Sequence, residues 1–310
     1  MYFVMPHNCN IANNGEKIFS SAWLRPPSQI GNTLRVSQFN VQQITSFDTP
    51  ELEPYRTMRR SVEHAKQGIF VAEGDKVVQR LLESHFQVIS VVLPENRLEE
   101  FRPLLDSRPE KINVYLAERK FLVTLVGIEL FQGVLAVGKI PRTFSLEELL
   151  AQSPAPRLFA MVEGLTNAEN IGLLARNCAA FGAHGLIVGP TCCSPFLRRA
   201  VRNSMGAIFQ LPIVETPDLI ESLRALRAAG VRCVAAHPHT DKKTLSQADF
   251  TRDCCLVFGS EGRGISPETL AACDEAVAIP MAANIDSLNV GAAAAVFLYE
   301  AGRQRQKNHT

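Results

Sequence analysis

Apolar positions along this chain alternate between two rhythms: short continuous runs, then longer stretches in which they recur every third or fourth residue. Gly68–Val71 reads as a strand, Ala72–Asp75 as a turn, and Lys76–Ser84 as a helix. Phe86–Leu93 is a second strand, and Pro94, Glu95 and Asn96 start another helix. Val114–Leu116, a helix from Glu118 and the run Gly133–Val137 complete a first set. Ahead of them, Leu52–Lys66 has helical character with a basic side formed by Arg56, Arg59, Arg60 and Lys66.

The same alternation resumes after Pro156. Strands are predicted at Leu158–Val162, Gly185–Val188, Leu211–Val214, Val231–Ala235 and Cys255–Phe258, with a further short apolar run at Ala276–Ile279. Helices are predicted from near Glu169, around Arg198–Arg202 and over Pro217–Ala229, with a small-residue helix at Gly291–Ala295. Strands that alternate with helices make a largely parallel sheet. The fold class is therefore α/β. Residues 1–50 form a loosely ordered extension, 51–142 a small α/β domain, 143–156 a linker and 157–305 a larger α/β domain of about six strands.

Composition narrows the class only slightly. The 310 residues are 46% hydrophobic and 20% charged, with a formal net charge of +1. No apolar run reaches the length of a bilayer span, and the opening residues have neither a basic n-region nor an apolar core, so a cytoplasmic location is expected. The eight cysteines include no CxxC pair; Cys192-Cys193 and Cys254-Cys255 are adjacent, which in a strand places the thiols on opposite faces. They read as reduced, small hydrophobes. No HxxxH, HExxH or acidic cluster suggests a metal, and His237-Pro238-His239 reads as a loop.

Three constellations can carry chemistry. Gly259, Gly262 and Gly264 follow a strand in the spacing G-x-x-G-x-G, which is not the dinucleotide fingerprint; Glu261 among them stands on backbone open to a ligand. Asn170 and Arg176 follow another strand at a helix start, where free N–H groups favour anions. Arg176 lies in an otherwise apolar stretch, and a buried arginine needs a partner or a role. Arg198 and Arg202, four apart, share a helix face that suits phosphates, with a solvated charged face as the alternative.

Three motifs in order, NxxNxGxxxR at Asn167–Arg176, LVFGSEGRGIS at 256–266 and IPMAANIDSLNV at 279–290, with RNSMGAIFQLPI at 202–213 as a fourth, resemble the SpoU/TrmH family of RNA ribose 2′-O-methyltransferases. Residues 59–139 are similar to the substrate-binding domain that often precedes that catalytic domain. The resemblance implies a SPOUT trefoil-knot domain, S-adenosylmethionine as methyl donor, RNA as substrate with large-subunit rRNA favoured over tRNA, and a homodimer through the knotted region and terminal helix. No metal and no membrane are implied.

The resemblance assigns cofactor contacts to Gly259, Ile279, Met281 and Leu288, and the catalytic set to Arg176, Asn170, Glu261, Ser287 and Asn289. Glu261 and Asn170 are expected to hold Arg176, which activates the ribose hydroxyl. Arg59, Arg60, Arg198 and Arg202 become candidate RNA contacts. Two positions depart from the family pattern: Asn167-Ala168 stands for Asp-Pro, and Ala283 for the more usual glycine. A non-catalytic RNA-binding or assembly protein of the same fold, or a methyltransferase acting on a base nitrogen, are the rival readings.

Overall fold

The computed structural model describes residues 39–118, 121–122, 133–238, 240, 243–282 and 285–306. Two sheets organise them. The first has five strands, β1 (Phe39–Gln43), β2 (Ile69–Glu73), β3 (Val88–Leu93), β4 (Ile112–Leu116) and β5 (Leu135–Lys139), in the order β1-β4-β3-β5-β2. Strands β1, β4 and β3 are parallel, and β5 pairs antiparallel with both β3 and β2. Helices α1 (Glu53–Arg56) and α2 (Ser61–Lys66) precede β2, while α3 (Asp75–Glu83) and α4 (Leu98–Asp106) lie between strands.

Two expectations change here. The Asn- and Gln-rich segment read as extension supplies β1, an edge strand that buries only Phe39, so its apolar signal is a single residue. The helix expected over Leu52–Lys66 is broken into α1 and α2 by a turn at Thr57–Arg60, which lets Leu52, Tyr55 and Met58 bury together. Most of the helix expected from Glu118 lies outside the described residues, as does Ala283.

The second sheet has six strands, all paired in parallel: β6 (Leu158–Val162), β7 (Gly185–Val188), β8 (Ile213–Glu215), β9 (Arg232–Ala236), β10 (Cys254–Phe258) and β11 (Glu275–Val277). Their order is β11-β9-β10-β6-β7-β8. Helix α5 (Leu146–Gln152) begins with a capping box between Ser145 and Glu148 and buries Leu146 and Leu149 against this sheet. The segment read as a linker is thus part of the second layer. Then come α6 (Ala168–Ala180), α7 (Arg198–Asn203), α8 (Leu219–Ala228), α9 (Pro267–Ala272) and α10 (Val290–Gln306). Strands buried on both faces explain why they read as unbroken apolar runs. Cys178, Cys233, Cys254 and Cys255 are free and buried in this layer, as small hydrophobes.

One hydrophobic core runs from the first sheet into the second. At the junction, Phe70 and Phe86 from the first layer meet Phe196 and Phe209 from the second, with ring centroids 5.3–6.1 Å apart across it. Glu73, buried at the end of β2, takes ion pairs from both Arg198 and Arg202 of α7. These contacts fix the first sheet against the second. Among the described residues no helix is long and apolar enough to cross a membrane.

Candidate active site

Strands β11, β9 and β10 are neighbours, and the chain leaves all three at their carboxyl ends into one cleft, where parallel α/β sheets bind ligands. The cleft encloses about 280 Å³, near the lower end of the ~300–1,000 Å³ of small-molecule sites. Gly259, Ile279, Met281 and Leu288 all line it, as do Glu261 and Ser287. Leu288 is 41% exposed, an apolar side chain held open to the cleft rather than packed into the core.

The loop after β10 is a tight hairpin. Ser260 and Gly264 exchange backbone hydrogen bonds of 3.0 and 2.9 Å, and Arg263 N–H bonds to the Ser260 hydroxyl at 3.2 Å. Gly264 has φ of +67°, and a Cβ on Gly259 would collide with the Gly264 and Ile265 backbone. Gly259 is therefore required for closing the hairpin on itself.

The hairpin tip reaches back to α6. Asn170, buried in the first turn of that helix, donates through Nδ2 to Glu261 Oε1. Asn289 Nδ2 donates to the same oxygen at 2.9 Å and to Asn170 Oδ1 at 3.1 Å. Asn289 Oδ1 accepts from the N–H groups of Gly291 and Ala292 at 2.9 and 3.4 Å, capping α10. A carboxylate at the start of α6 is also favoured by that helix's dipole. Three residues from three separate motifs thus tie the hairpin, α6 and α10 together.

Residues 157–299 match the SpoU rRNA Methylase family. The chain is 32% identical over 278 residues to an uncharacterized tRNA/rRNA methyltransferase of Mycobacterium tuberculosis H37Rv, covering 87% of this chain and 94% of that one. It is 30% identical over 239 residues to the 23S rRNA (guanosine-2′-O-)-methyltransferase RlmB of Escherichia coli K12, covering 75% and 97%. Among solved structures, the SpoU methyltransferase AviRb of Streptomyces viridochromogenes matches with a TM-score of 0.72 at 29% identity, over 83% of this chain and 97% of that one. The AdoMet-bound rRNA methyltransferase of Sinorhizobium meliloti matches with a TM-score of 0.72 at 25% identity, over 85% and 98%.

The chain belongs to the SpoU rRNA methylase family.

As a SpoU protein it has the α/β SPOUT fold and is an RNA methylase. The residues named from the family motifs separate into two groups. Gly259, Ile279, Met281, Leu288, Glu261 and Ser287 come together in the cleft, with Asn170 and Asn289 bonded to Glu261 at its rim. Arg176 does not join them. Six residues along α6 put it about 9 Å from Asn170 along the axis and about 120° around it, so both cannot face one group. Arg176 is exposed and has no hydrogen-bond partner among the described residues, and Asn170 and Glu261 are bonded to each other and to Asn289 instead. The apolar neighbours that made it look buried, Leu174, Ala175 and Cys178, point into the core on the opposite side.

Arg198 and Arg202, read as RNA contacts, are both committed to Glu73; their shared helix face is turned to the first sheet. Arg59 and Arg60 are exposed. Asn167 takes over the helix start, its side chain accepting from Glu169 N–H at 2.9 Å, so Ala168 enters α6 without a proline. His237 and Pro238, read only as a loop, also line the cleft, with Arg263 and Asp286. Their place directly after the predicted strand Val231–Ala235 was the available signal.

Proposed function

We propose that this protein transfers a methyl group from S-adenosylmethionine to a ribose 2′-hydroxyl of structured RNA, large-subunit rRNA being favoured over tRNA. The observation that carries the proposal is the convergence of Gly259, Ile279, Met281 and Leu288 on one cleft beside the Asn170–Glu261–Asn289 network. The donor set fits the group: Ile279, Met281 and Leu288 offer apolar faces for an adenine, and the loop backbones offer N–H and C=O groups for its polar edges. When bound, S-adenosylmethionine supplies a methyl on a positively charged sulfur that departs as a neutral thioether, so the chemistry requires no metal. The names of the RlmB relative and the Sinorhizobium structure support the ribose, the rRNA and the cofactor.

In this reading the Asn170–Glu261–Asn289 network fixes the two loops in the geometry that aligns hydroxyl and methyl donor. Ser287 keeps an exposed hydroxyl toward the cleft, available to the ribose. Arg176, a forked cation held in solvent, meets the RNA at a phosphate and orients the attacking hydroxyl. Residues 51–142 bind the RNA, with Arg59 and Arg60 among the phosphate contacts. A homodimer forms through α6 and α10, where Leu173, Val296 and Tyr299 are 36%, 38% and 58% exposed.

Incubation with labelled S-adenosylmethionine and rRNA, followed by nuclease digestion and mass spectrometry, tests the proposal. The expected product is a 2′-O-methylated nucleoside. A base-methylated nucleoside, or failure of the wild-type chain to bind S-adenosylmethionine, overturns it.

A further inference from the structure

The hairpin that walls the cleft, Gly259–Ser266, is seated at both ends by one short turn. At its start, Glu163 N–H donates to the Phe258 carbonyl at 2.9 Å, carrying the β6–β10 ladder one step past the strand ends. At Gly164, with φ of +68°, a Cβ would stand 3.3 Å from Ser260 Cβ, so this turn lies directly against the hairpin's base. At the far end, the Glu163 carboxylate accepts from Ser266 N–H at 2.9 Å, from the Ser266 hydroxyl at 2.8 Å and from the Thr269 hydroxyl at 3.0 Å. One residue thus meets both ends, its backbone N–H at the start and its carboxylate at the far end.

Three donors on one carboxylate are more than a surface loop needs. Ser266 is the N-cap of α9, its hydroxyl accepting from Thr269 N–H at 3.2 Å, so Glu163 also fixes where that helix begins. Tip and base are held independently: Asn170 and Asn289 grip Glu261 at the tip, and Glu163 grips Ser266 at the base. Between these grips lie Gly262, Arg263, Gly264 and Ile265, which all line the cleft, as do Gly259 and Ser260 just before them. Glu163 itself does not line it.

We infer that Glu163 is a positioning residue for cofactor binding: from behind the hairpin it sets the backbone against which S-adenosylmethionine is held. The inference rests on the cofactor reading of the cleft given above. Loss of the carboxylate frees three donors and lets the hairpin pivot on its tip contacts, which weakens the cofactor rather than the RNA.

The experiment is calorimetric titration of the full-length chain with S-adenosylmethionine, paired with KM values for cofactor and RNA. Glu163→Ala is expected to weaken the cofactor about tenfold or more, the scale of hydrogen bonds to a charged group. KM for the cofactor should rise more than kcat falls, with KM for RNA little moved. Glu163→Gln, which keeps one acceptor oxygen for Ser266 N–H, should recover part of the affinity. If wild type binds no S-adenosylmethionine, the cofactor reading of the cleft fails. If wild type binds and Glu163→Ala matches it, or KM for both substrates changes equally, the positioning role fails. Should Glu163→Ala not fold, Ser266→Ala and Thr269→Val each remove donors to the same carboxylate: weaker cofactor binding in them supports the role, and unchanged binding overturns it.

Discussion

Asn289 reaches Glu261 across 2.9 Å with its amide nitrogen while its amide oxygen caps the last helix, so one side chain serves a loop and a helix at once. Its two ends have different replacements. Asn289→Asp keeps the acceptor for the Gly291 and Ala292 N–H groups but sets a second carboxylate against Glu261. Asn289→Ala loses both functions. We expect the alanine variant to lose about 1 kcal/mol through the cap alone. The aspartate variant should retain more of the thermal stability yet bind S-adenosylmethionine more weakly than wild type. Thermal denaturation and cofactor titration of the two variants check this.

Glu73 holds two guanidinium groups while itself being 5% exposed. Glu73→Ala leaves Arg198, whose side chain is 16% exposed, without a counter-charge, and should cost about 3 kcal/mol, the scale of a broken buried pair. Arg202, at 54% exposure, contributes less, and Arg202→Ala should cost no more than about 1 kcal/mol. Chemical denaturation of the three proteins gives the comparison.

The salt dependence of RNA binding separates structural from RNA-facing arginines. Each lost phosphate contact lowers the slope of log K against log salt by roughly 1. Arg59→Ala and Arg60→Ala should each lower it. Arg202→Ala should leave it as in wild type, because that side chain answers to Glu73. Binding curves at several salt concentrations decide the assignment.

Arg176→Ala should leave S-adenosylmethionine affinity at the wild-type value, since the side chain stands outside the cleft, and lower methyl transfer on the order of 10²-fold through lost alignment. Transfer near the wild-type rate would remove Arg176 from the mechanism. Arg176→Lys keeps the charge but not the fork, and should recover only part of the rate.

The acid limb of stability should bear the mark of His184. Its Nδ1 accepts from Leu158 N–H at 3.1 Å, and burial first, then the nearby Arg305 charge, hold its pKa below the ordinary 6.5. Burial lowers His85 and His64 as well. The unfolded chain then binds more protons than the folded one as pH falls through 6.5, so stability present above that value is lost below it. Melting temperatures between about pH 8 and 5 should fall only on the acid side, in the range where histidine titrates. His184→Gln should show a shallower fall.

The apolar runs of the second sheet were legible because parallel strands buried on both faces leave nothing polar to interrupt them; Leu158–Val162 and Gly185–Val188 are strands at the expected bounds. The edge strand β1 was not, since one buried phenylalanine in a polar segment carries no period. Helix α9 was missed although Ser266-Pro267 is a cap followed by a proline at the first helical position, a signal that the glycine hairpin before it obscured. The cleft-lining residues Gly259, Ile279, Met281 and Leu288 were legible as motifs on two loops. The direction in which Arg176 and Arg198 point was not, because helical phase depends on which face the neighbouring layer covers. The small-residue run Gly291–Ala295 was open between a core and a dimer face. Gly291 and Ala294 are buried, and a Cβ on Gly291 would strike Leu173, so that part of the run serves the close approach of α6 and α10.

The four phenylalanines at the junction give the two sheets a shared fate. Phe70 and Phe86 cannot leave Phe196 and Phe209 without opening the core that runs through both layers. The first sheet is accordingly no swinging arm. It stands at a set span from the cleft, so that, if RNA binds there as proposed above, its reach to the cleft is measured out by the protein, as by a gauge.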